Sequence, residues 1–587
     1  MTRNTKAASL LERVGAVFRV LEGDSFRSKA YYNAAVVIAN LSEPIDDLYQ
    51  RNQLEGIPGI GPGLRKYLSE YVRKGKVRHF DALLKKVPAG MFPLMEIRGI
   101  GPITAYKLAK KFKLNDEEAA LKELKAIAKD NRLTEISGFK EKTSNRIKKS
   151  LKYKARGKPR LLLADALPIA EKFISFLKLS PLIKDAEPLG SLRRKLSTIG
   201  DIDLGISSKN PTMAMEYAIS YPEISTVVTR GERVSHVRLR SGFEVDIKCS
   251  TPQQWGSLLQ HYTGSKLHNI KLRTRTLTKG MSLSEYGIKK GKKLHDFTDE
   301  KAFYKFLGLE YIPPELREDK GEIEKALKNK IPSLIEASDI KGDLHIHSDF
   351  DFPSSHDVGS SKIGDIISVA GELGYEYIGF SDHNPKYLGL LEREKEKILL
   401  ARKEYLNSQF HAYENRVKNR TTKLLIGMEV DIRPDGTRAI SDNLLDTLDY
   451  AIVSIHSGFD LSSRENTNRI LDGLDHPKAV ILGHPTGRKL NYRDSILVDW
   501  DRVFDFCRKK GKILEINSDP SRLDLPDDLI MEALKYGVKF IINTDIHHVS
   551  EMAHMKYGVW QAKRGWITKK DVINTLSYKD LRQVLKL

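Results

Sequence analysis

The chain has 587 residues, with 98 Lys and Arg against 77 Asp and Glu and a formal net charge of +21. That length exceeds what one hydrophobic core can fill, so three or four domains are expected. With 40% hydrophobic and 30% charged residues the composition is that of an ordinary soluble globular protein; no apolar run reaches the roughly 18 residues of a membrane helix, and the basic balance predicts attraction to a polyanion.

The first residues, Met1 to Val14, read as a helix and not as a signal peptide. The two cysteines, Cys249 and Cys507, fall in different candidate domains and read as buried thiols, which fits a reducing compartment such as the cytoplasm. Helical pattern dominates residues 1–153, divided at 85/86, and strands bearing paired acids fill 154–248. A small mixed region follows over 249–318, then a charged linker over 319–338. From 339 to 587 apolar strand-like runs alternate with helices, the pattern of parallel β/α units. The fold class expected is multidomain, α+β followed by α/β. No heptad or dimer patch stands out, so a monomer is expected.

Residues 56–63 read Gly-Ile-Pro-Gly-Ile-Gly-Pro-Gly ahead of a helix, and 98–102 read Arg-Gly-Ile-Gly-Pro ahead of another. Glycine permits a tight turn and close backbone approach, and the helix that follows offers free N–H groups to a phosphate. A degenerate third copy begins at Ile136. The two good copies resemble the helix-hairpin-helix motifs of repair enzymes, which implies that Gly59, Gly61, Gly63, Gly99 and Gly101 grip a DNA backbone without reading its sequence. Between Gly138 and Arg160 stand ten Lys or Arg against a single acid, Glu141. That segment reads equally as a solvated linker or as a phosphate-tracking stretch.

The middle of the chain carries Leu189-Gly190-Ser191-Leu192-Arg193-Arg194, then Thr198-Ile199-Gly200-Asp201-Ile202-Asp203. Alternate residues of a strand share a face, so Asp201 and Asp203 project together while Ile202 and Leu204 turn to the core. Asp246 arrives on a neighbouring strand, the second arm of a hairpin turning at Ser241-Gly242. Three acids so placed suit two Mg²⁺ ions, or Mn²⁺, one lowering the pKa of an attacking 3′-hydroxyl and one holding a triphosphate. Gly190 and Ser191 offer donors, and Arg194 offers a planar fork for phosphate oxygens.

These residues, with His261-Tyr262-Thr263-Gly264-Ser265, Asn269, Arg273 and Glu285-Tyr286-Gly287, resemble the nucleotidyltransferase palm and thumb of family X DNA polymerases. The resemblance reaches upstream through Phe26-Arg27-Ser28 and covers residues 1–315. It implies that Asp201, Asp203 and Asp246 are catalytic metal ligands. Gly190, Ser191, Arg194, Gly200, His261, Tyr262, Gly264, Asn269 and Arg273 would line the incoming dNTP, and DNA would be the partner. Two departures stand out. His261-Tyr262 replaces the Tyr-Phe of many relatives, which bears on sugar discrimination. Tyr67 occupies the position of the lysine with which some members cleave abasic sugars; a Schiff base needs an amine, so strong lyase activity is not expected.

Beyond residue 339, polar groups fall repeatedly at strand ends: His345 and His347, His383, Glu429, His456, His484, Asn517, then Asp545 and His547. About seven parallel strands delivering such groups at their C-terminal ends predict a β/α barrel with its site on that face. Imidazole with carboxylate suits Mn²⁺, Zn²⁺ or Fe²⁺ better than Ca²⁺. The set resembles the PHP (polymerase and histidinol phosphatase) domain, a distorted (β/α)7 barrel with a trinuclear Mn²⁺ or Zn²⁺ cluster. That likeness implies nine ligands: His345, His347, Asp357, His383, Glu429, His456, His484, Asp545 and His547. Phe350–Pro353 looks like an insertion, and Ser355-His356-Asp357-Val358-Gly359 best fits the Ser-Asp-Gly turn of that family, so Asp357 is chosen, with Asp349 and Asp351 as alternatives and His356 as a spare donor. A gap-filling DNA polymerase carrying a 3′-5′ exonuclease or 3′-end-processing domain is therefore expected, acting in the cytoplasm at the nucleoid. A small-molecule phosphatase fused to a DNA-binding module is the alternative.

Overall fold

The computed structural model describes residues 3–21, 23, 25–39, 45–51, 53–57, 60–95, 100–130, 132–136, 160–386, 389–417 and 422–587. Two compact units are present, 1–159 and 160–587. Gly59, Gly99, most of the third glycine turn and the basic stretch up to residue 159 lie outside the described residues.

The first unit is helical. Pro62 and Pro102 occupy the first turns of the helices Pro62–Lys74 and Pro102–Lys111, where a missing N–H costs nothing, and Gly61 and Gly101 are their N-cap residues. The left-handed Gly75 (φ 68°) ends the first of them. The segments expected to be separate, 1–85 and 86–153, share one core: Leu11, Phe18, Leu68 and Phe80 pack in the same cluster as Leu108 and Leu124.

The second unit opens with a five-stranded sheet in the order Asp185–Pro188, Ile202–Ser207, Glu244–Ser250, Val234–Leu239, Ile224–Thr229. Ile202, Leu204 and Ile206 are buried against Val245 and Ile247, as the alternating pattern requires. The hairpin turn at Gly242 (φ 87°) is where it was expected. The thumb follows, with helices Trp255–Thr263 and Lys266–Leu277 and a three-stranded sheet over 281–295.

The stretch read as a charged linker, 319–338, is no exposed tether. Ile323 and Ala326 belong to the thumb core with Leu272, Phe303 and Tyr304, and Glu322 is fully buried against His268, Oε1 to Nδ1 2.6 Å. Arg317, just before it, is also fully buried and pairs with Glu300 at 2.5 Å. Charge density reads as solvation in a sequence, but here the charges are paired inside.

Residues 339–587 form a barrel of seven parallel strands in chain order, from Gly342–Ile346 to Lys539–Asn543. A parallel bridge between Ile346 and Ile546 brings its first strand against the chain just past its last. Leu344, Leu425, Ile481, Ile513 and Ile541 pack with Tyr377 and Tyr450 in one cluster, which the C-terminal helix Tyr578–Leu585 joins through Leu581 and Leu585. A side chain at Gly379 would strike the Tyr450 hydroxyl at 2.2 Å, and one at Gly427 its ring at 2.3 Å. Glycine is the residue that lets that ring lie across two strands.

Candidate functional site

On the palm sheet, Asp203 and Asp246 stand in register on adjacent parallel strands, and Asp201 lies just before the strand that carries Asp203. The two paired acids are held differently. Nζ of Lys248 donates to Asp246 Oδ2 at 2.8 Å, and His236 Nδ1 contacts its other oxygen. Burial alone would raise Asp246, but His236 and Lys248 bring its pKa down to about 2. Burial dominates at Asp203, and with Asp246 and Asp201 nearby its carboxyl is pushed up to about 7. A carboxyl raised in this way beside two other carboxylates is the signature of a site short of positive charge. Gly190 lies against it: a Cβ there would come within 2.3 Å of Asp203 Oδ2, and its φ of 54° also favours glycine.

The residues expected around the nucleotide collect beside these acids. Arg194 donates through Nη1 to the carbonyl of Thr263 at 2.5 Å and through Nε to Glu318 at 2.9 Å. Gly264 (φ 72°) turns the chain beside that guanidinium, and a side chain on it would stand 3.1 Å from Nη1. Asn269 donates to the His261 carbonyl at 2.7 Å and accepts from Gln260 at 2.9 Å, so it stitches the turn. Arg273 Nη2 lies 3.4 Å from His261 Nδ1. Burial, helped by Arg273, pulls the His261 pKa to about 3, so the ring is neutral. Tyr262 packs on Leu189, Trp255 and Leu258, and burial raises its hydroxyl. Ser191 is half-buried in the short helix Gly190–Arg193. Gly200 is exposed, and a Cβ there would stand 2.9 Å from Arg160 Nη1.

In the first unit, a Cβ on Gly61, Gly63 or Gly101 would meet nothing within 4 Å, and φ at Gly61 and Gly101 is negative (−72° and −79°). Neither backbone nor packing demands glycine there. What its absence of a side chain leaves is open access to helix N-termini that have no side-chain cap. Tyr67 stacks on His79, with ring centroids 5.3 Å apart.

The barrel gathers its polar residues at the C-terminal ends of the strands. Among the described residues there are four groups whose ligand atoms lie within 4.8 Å of one another inside each group: His345, His347, Glu429 and Asp545; His347, His383 and His547; His383, Glu429 and His456; and His356, Asp431 and His456. His484 Nε2 is 2.9 Å from Glu429 Oε1. Asp357 lines the same cavity, of about 300 Å³, but stands outside all four groups; its neighbour His356 is inside one. Asp349 bonds the Tyr405 hydroxyl at 2.9 Å instead.

Several of these ligand atoms are buried without a well-aligned hydrogen bond, namely His345 Nε2, His347 Nδ1, His383 Nδ1, Glu429 Oε2 and His484 Nδ1, although His383 Nδ1 and His345 Nε2 lie 2.9 and 3.3 Å from Glu429 Oε2. Polar atoms so buried normally find partners. Divalent cations fit the convergence of His345 Nε2 and His383 Nδ1 on Glu429 Oε2, and the imidazole–carboxylate donor set matches borderline metals. Charge follows the same logic. Burial works against ionising Glu429, yet His383, His345 and His456 hold it well below the usual carboxylate range. Burial would lower His345, but Asp545, Glu515 and Glu429 together hold it well above the ordinary imidazole value. His484 (φ 26°) and Asp545 (φ 58°) sit in the left-handed region, a strain of about 1–3 kcal/mol each that the surrounding bonds must outweigh.

Sequence reasoning missed the carboxylates behind this set. Glu515 contacts His345 Nδ1 at 2.7 Å and accepts the main-chain N–H of His484 at 2.7 Å. Asp431 contacts His456 Nδ1 at 2.6 Å and His356 Nε2 at 3.2 Å. Both lie at or near the C-terminal end of a barrel strand, which was the available signal.

A mixed palm sheet presenting three acids, joined to a histidine-lined parallel barrel, defines a two-centre enzyme of phosphoryl transfer. The comparisons with known proteins agree. The descriptions matched are a helix-hairpin-helix domain (2–77), a SAM-like helix-hairpin-helix tandem (92–153), a DNA polymerase beta thumb (258–318) and a PHP domain (343–519). The chain is 33% identical over 585 residues to the DNA polymerase/3′-5′ exonuclease PolX of Bacillus subtilis (strain 168), covering 98% of both. Shorter matches are DNA polymerase lambda of Arabidopsis thaliana, 32% over 111 residues (18% of this chain, 20% of that one), and a probable phosphatase of Clostridium novyi (strain NT), 25% over 218 residues (35% and 78%). The chain belongs to the family X DNA polymerases that carry a C-terminal PHP domain.

Proposed function

We propose that the protein fills gaps in DNA by template-directed synthesis from dNTPs at the palm, and trims or cleans 3′ ends at the barrel. The observation that carries this reading is the pairing of two distinct centres: the register of Asp203 with Asp246 beside Gly190 and Arg194, and the buried, converging imidazoles and carboxylates of the barrel.

At the palm, Asp201, Asp203 and Asp246 would hold two Mg²⁺ or Mn²⁺ ions, which supply an acidified 3′-hydroxyl and neutralise the triphosphate. Asp246 stays ionised because His236 and Lys248 face it. Arg194 and Ser191 take phosphate oxygens, and the neutral, buried His261 with Tyr262 and Gly264 shapes the sugar side of the pocket. Asn269 and Arg273 fix that wall. Gly61, Gly63 and Gly101, with Gly59 and Gly99, would admit the DNA backbone to helix N-termini.

In the barrel, His345, His347, His383, Glu429, His456, His484, Asp545 and His547 would hold Mn²⁺ or Zn²⁺, three ions in all, and Asp357 or His356 would supply the ninth ligand. Such a cluster supplies an activated water and charge neutralisation for phosphodiester cleavage. Glu515 orients His345, and Asp431 orients His456. The two cysteines are free and buried, in keeping with a monomer working in the cytoplasm.

The test is primer extension on gapped DNA with Mg²⁺ or Mn²⁺. Asp201→Ala or Asp203→Ala abolishes synthesis and spares digestion, and His345→Ala does the reverse. Unchanged synthesis in the aspartate variants refutes the polymerase reading. The likeness to the Clostridium phosphatase motivates a second substrate, a small phosphomonoester such as histidinol phosphate; preference for it over a DNA 3′ end would favour a small-molecule phosphatase.

A further inference from the structure

The helix Met555–Arg564 follows the last barrel strand and packs on both sides, into the barrel core through Met555, Val559 and Ala562 and against the palm through Tyr557 and Trp560. Tyr557, Trp560 and Arg564 are three and four residues apart and so share one face. Tyr557 is buried in the palm core cluster, and Lys195 Nζ lies 4.3 Å over the Trp560 ring. Arg564 goes further. Its Nη1 donates to the main-chain carbonyl of Arg194 at 2.9 Å and to Glu318 Oε1 at 3.1 Å, and its Nη2 to Asp527 at 2.8 Å. Glu318 Oε1 is the same atom that receives Arg194 Nε at 2.9 Å. One carboxylate oxygen thus lies between two guanidiniums, one from the palm and one from the barrel domain.

We propose that Arg564 is a positioning residue of the polymerase site, so that the PHP domain takes part in binding the incoming nucleotide. The inference rests on the reading of Arg194 as a triphosphate-binding residue. An arginine side chain has many rotamers, and ordering it at the moment of binding weakens affinity. Arg194 is ordered beforehand by two acceptors, the Thr263 carbonyl and Glu318. Glu318 would on its own be a full negative charge beside the place of a polyanionic triphosphate. Arg564 offsets that charge and fixes the carboxylate, and Asp527, itself bonded by Lys320 at 3.0 Å, fixes Arg564 in turn. The Glu318 pairs are largely shielded from water, with exposures of 7–18% for the three side chains, so screening by salt is weak.

The test is steady-state synthesis on gapped DNA by the full-length protein, with dNTP concentration varied. Arg564→Ala is expected to raise the dNTP KM about tenfold with little change in kcat and none in barrel nuclease activity; Arg564→Lys, which keeps the charge, recovers part of the loss. In a Glu318→Gln background, where the charge to be offset is gone, Arg564→Ala has a much smaller effect on KM. Arg194→Ala is run beside them. If Arg194→Ala raises KM and Arg564→Ala does not, or if Arg564→Ala lowers synthesis and nuclease activity together, the positioning role is wrong. If Arg194→Ala itself leaves KM unchanged, the underlying reading of the triphosphate site fails instead.

Discussion

Glu515 Oε1 lies 2.7 Å from His345 Nδ1 with both side chains fully out of water, while its Oε2 accepts the main-chain N–H of His484 at 2.7 Å. One carboxylate therefore orients two barrel histidines from different strands. Asn543 and Asn517 also donate to it, at 2.9 and 3.1 Å, so every neighbour of this group is a donor.

Glu515→Gln introduces an N–H₂ where only acceptors fit. Loss of such an outer partner weakens metal binding by about 10–100-fold in comparable sites. The expected result is reduced Mn²⁺ or Zn²⁺ retention after dialysis and a matching fall in nuclease activity, with synthesis at the palm intact. Full metal content by elemental analysis, together with full nuclease activity, would show that Glu515 is only a packing group.

The unequal palm acids predict a pH dependence. In the metal-free protein Asp203 is raised to about 7 by burial, with Asp246 and Asp201 adding to it. A raised folded value means that the native state holds a proton which the unfolded chain releases near pH 4. Its stabilising effect is complete below pH 4 and is lost as pH rises through about 7. Over that window wild type should lose stability relative to Asp203→Asn, by at most about 4 kcal/mol at 1.36 kcal/mol per unit. Thermal unfolding in EDTA from pH 5 to 8 reads the difference, since the barrel histidines are common to both proteins. Mg²⁺ should restore the wild type alone, because a cation favours the ionised carboxyl. Parallel curves for the two proteins would count against this account.

How much of this was legible beforehand differs by physical cause. Asp203 and Asp246 were readable because a strand's period of two projects acids to one face while Ile202 and Leu204 go inward. The barrel histidines were readable because each ends an apolar run. Glu515 was hidden: its role exists only once the barrel curves round to bring His345, on the first strand, against the sixth strand, beside which His484 ends the fifth. The place of Asp357 was obscured because three aspartates, Asp349, Asp351 and Asp357, follow His347 within ten residues, and it is His356 that lies beside Asp431 and His456. The charges of Arg317 and Glu322 misled for another reason. Composition cannot say whether a charge has a partner, and both of these do.

Gly190→Ala tests the approach of backbone to carboxylate. The new methyl would stand 2.3 Å from Asp203 Oδ2, at a φ of 54° that costs a residue with a Cβ about 1–2 kcal/mol. Asp203 must move to accommodate it, and misplacing a catalytic group by about 1 Å can cost on the order of 100-fold in rate. Synthesis should fall by about that factor with the melting temperature lowered by a few degrees and nuclease activity unchanged. Retention of normal kcat would mean that Asp203 has room to shift without consequence.

The buried Arg317–Glu300 pair predicts a stability effect with a built-in control. Arg317 also donates through Nε to the Ile312 carbonyl at 2.9 Å and lies 5.1 Å from the centre of the Tyr304 ring. Removing one partner of such a pair strands the other charge and costs about 3–5 kcal/mol, whereas replacing both is often close to neutral. Arg193 also bonds Glu300, at 2.8 Å, so Arg317→Met should fall at the lower end of that range. Glu300→Gln combined with Arg317→Met should recover part of the loss, because no carboxylate is then left without Arg317, while Arg193 keeps Glu187 at 3.3 Å. Thermal melts of the three proteins, with Mg²⁺ present throughout to hold the palm constant, give the comparison. A double variant as unstable as the sum of the two singles would show that packing of the Arg317 stem between Tyr304 and Tyr311, and not its charge, is what the thumb requires.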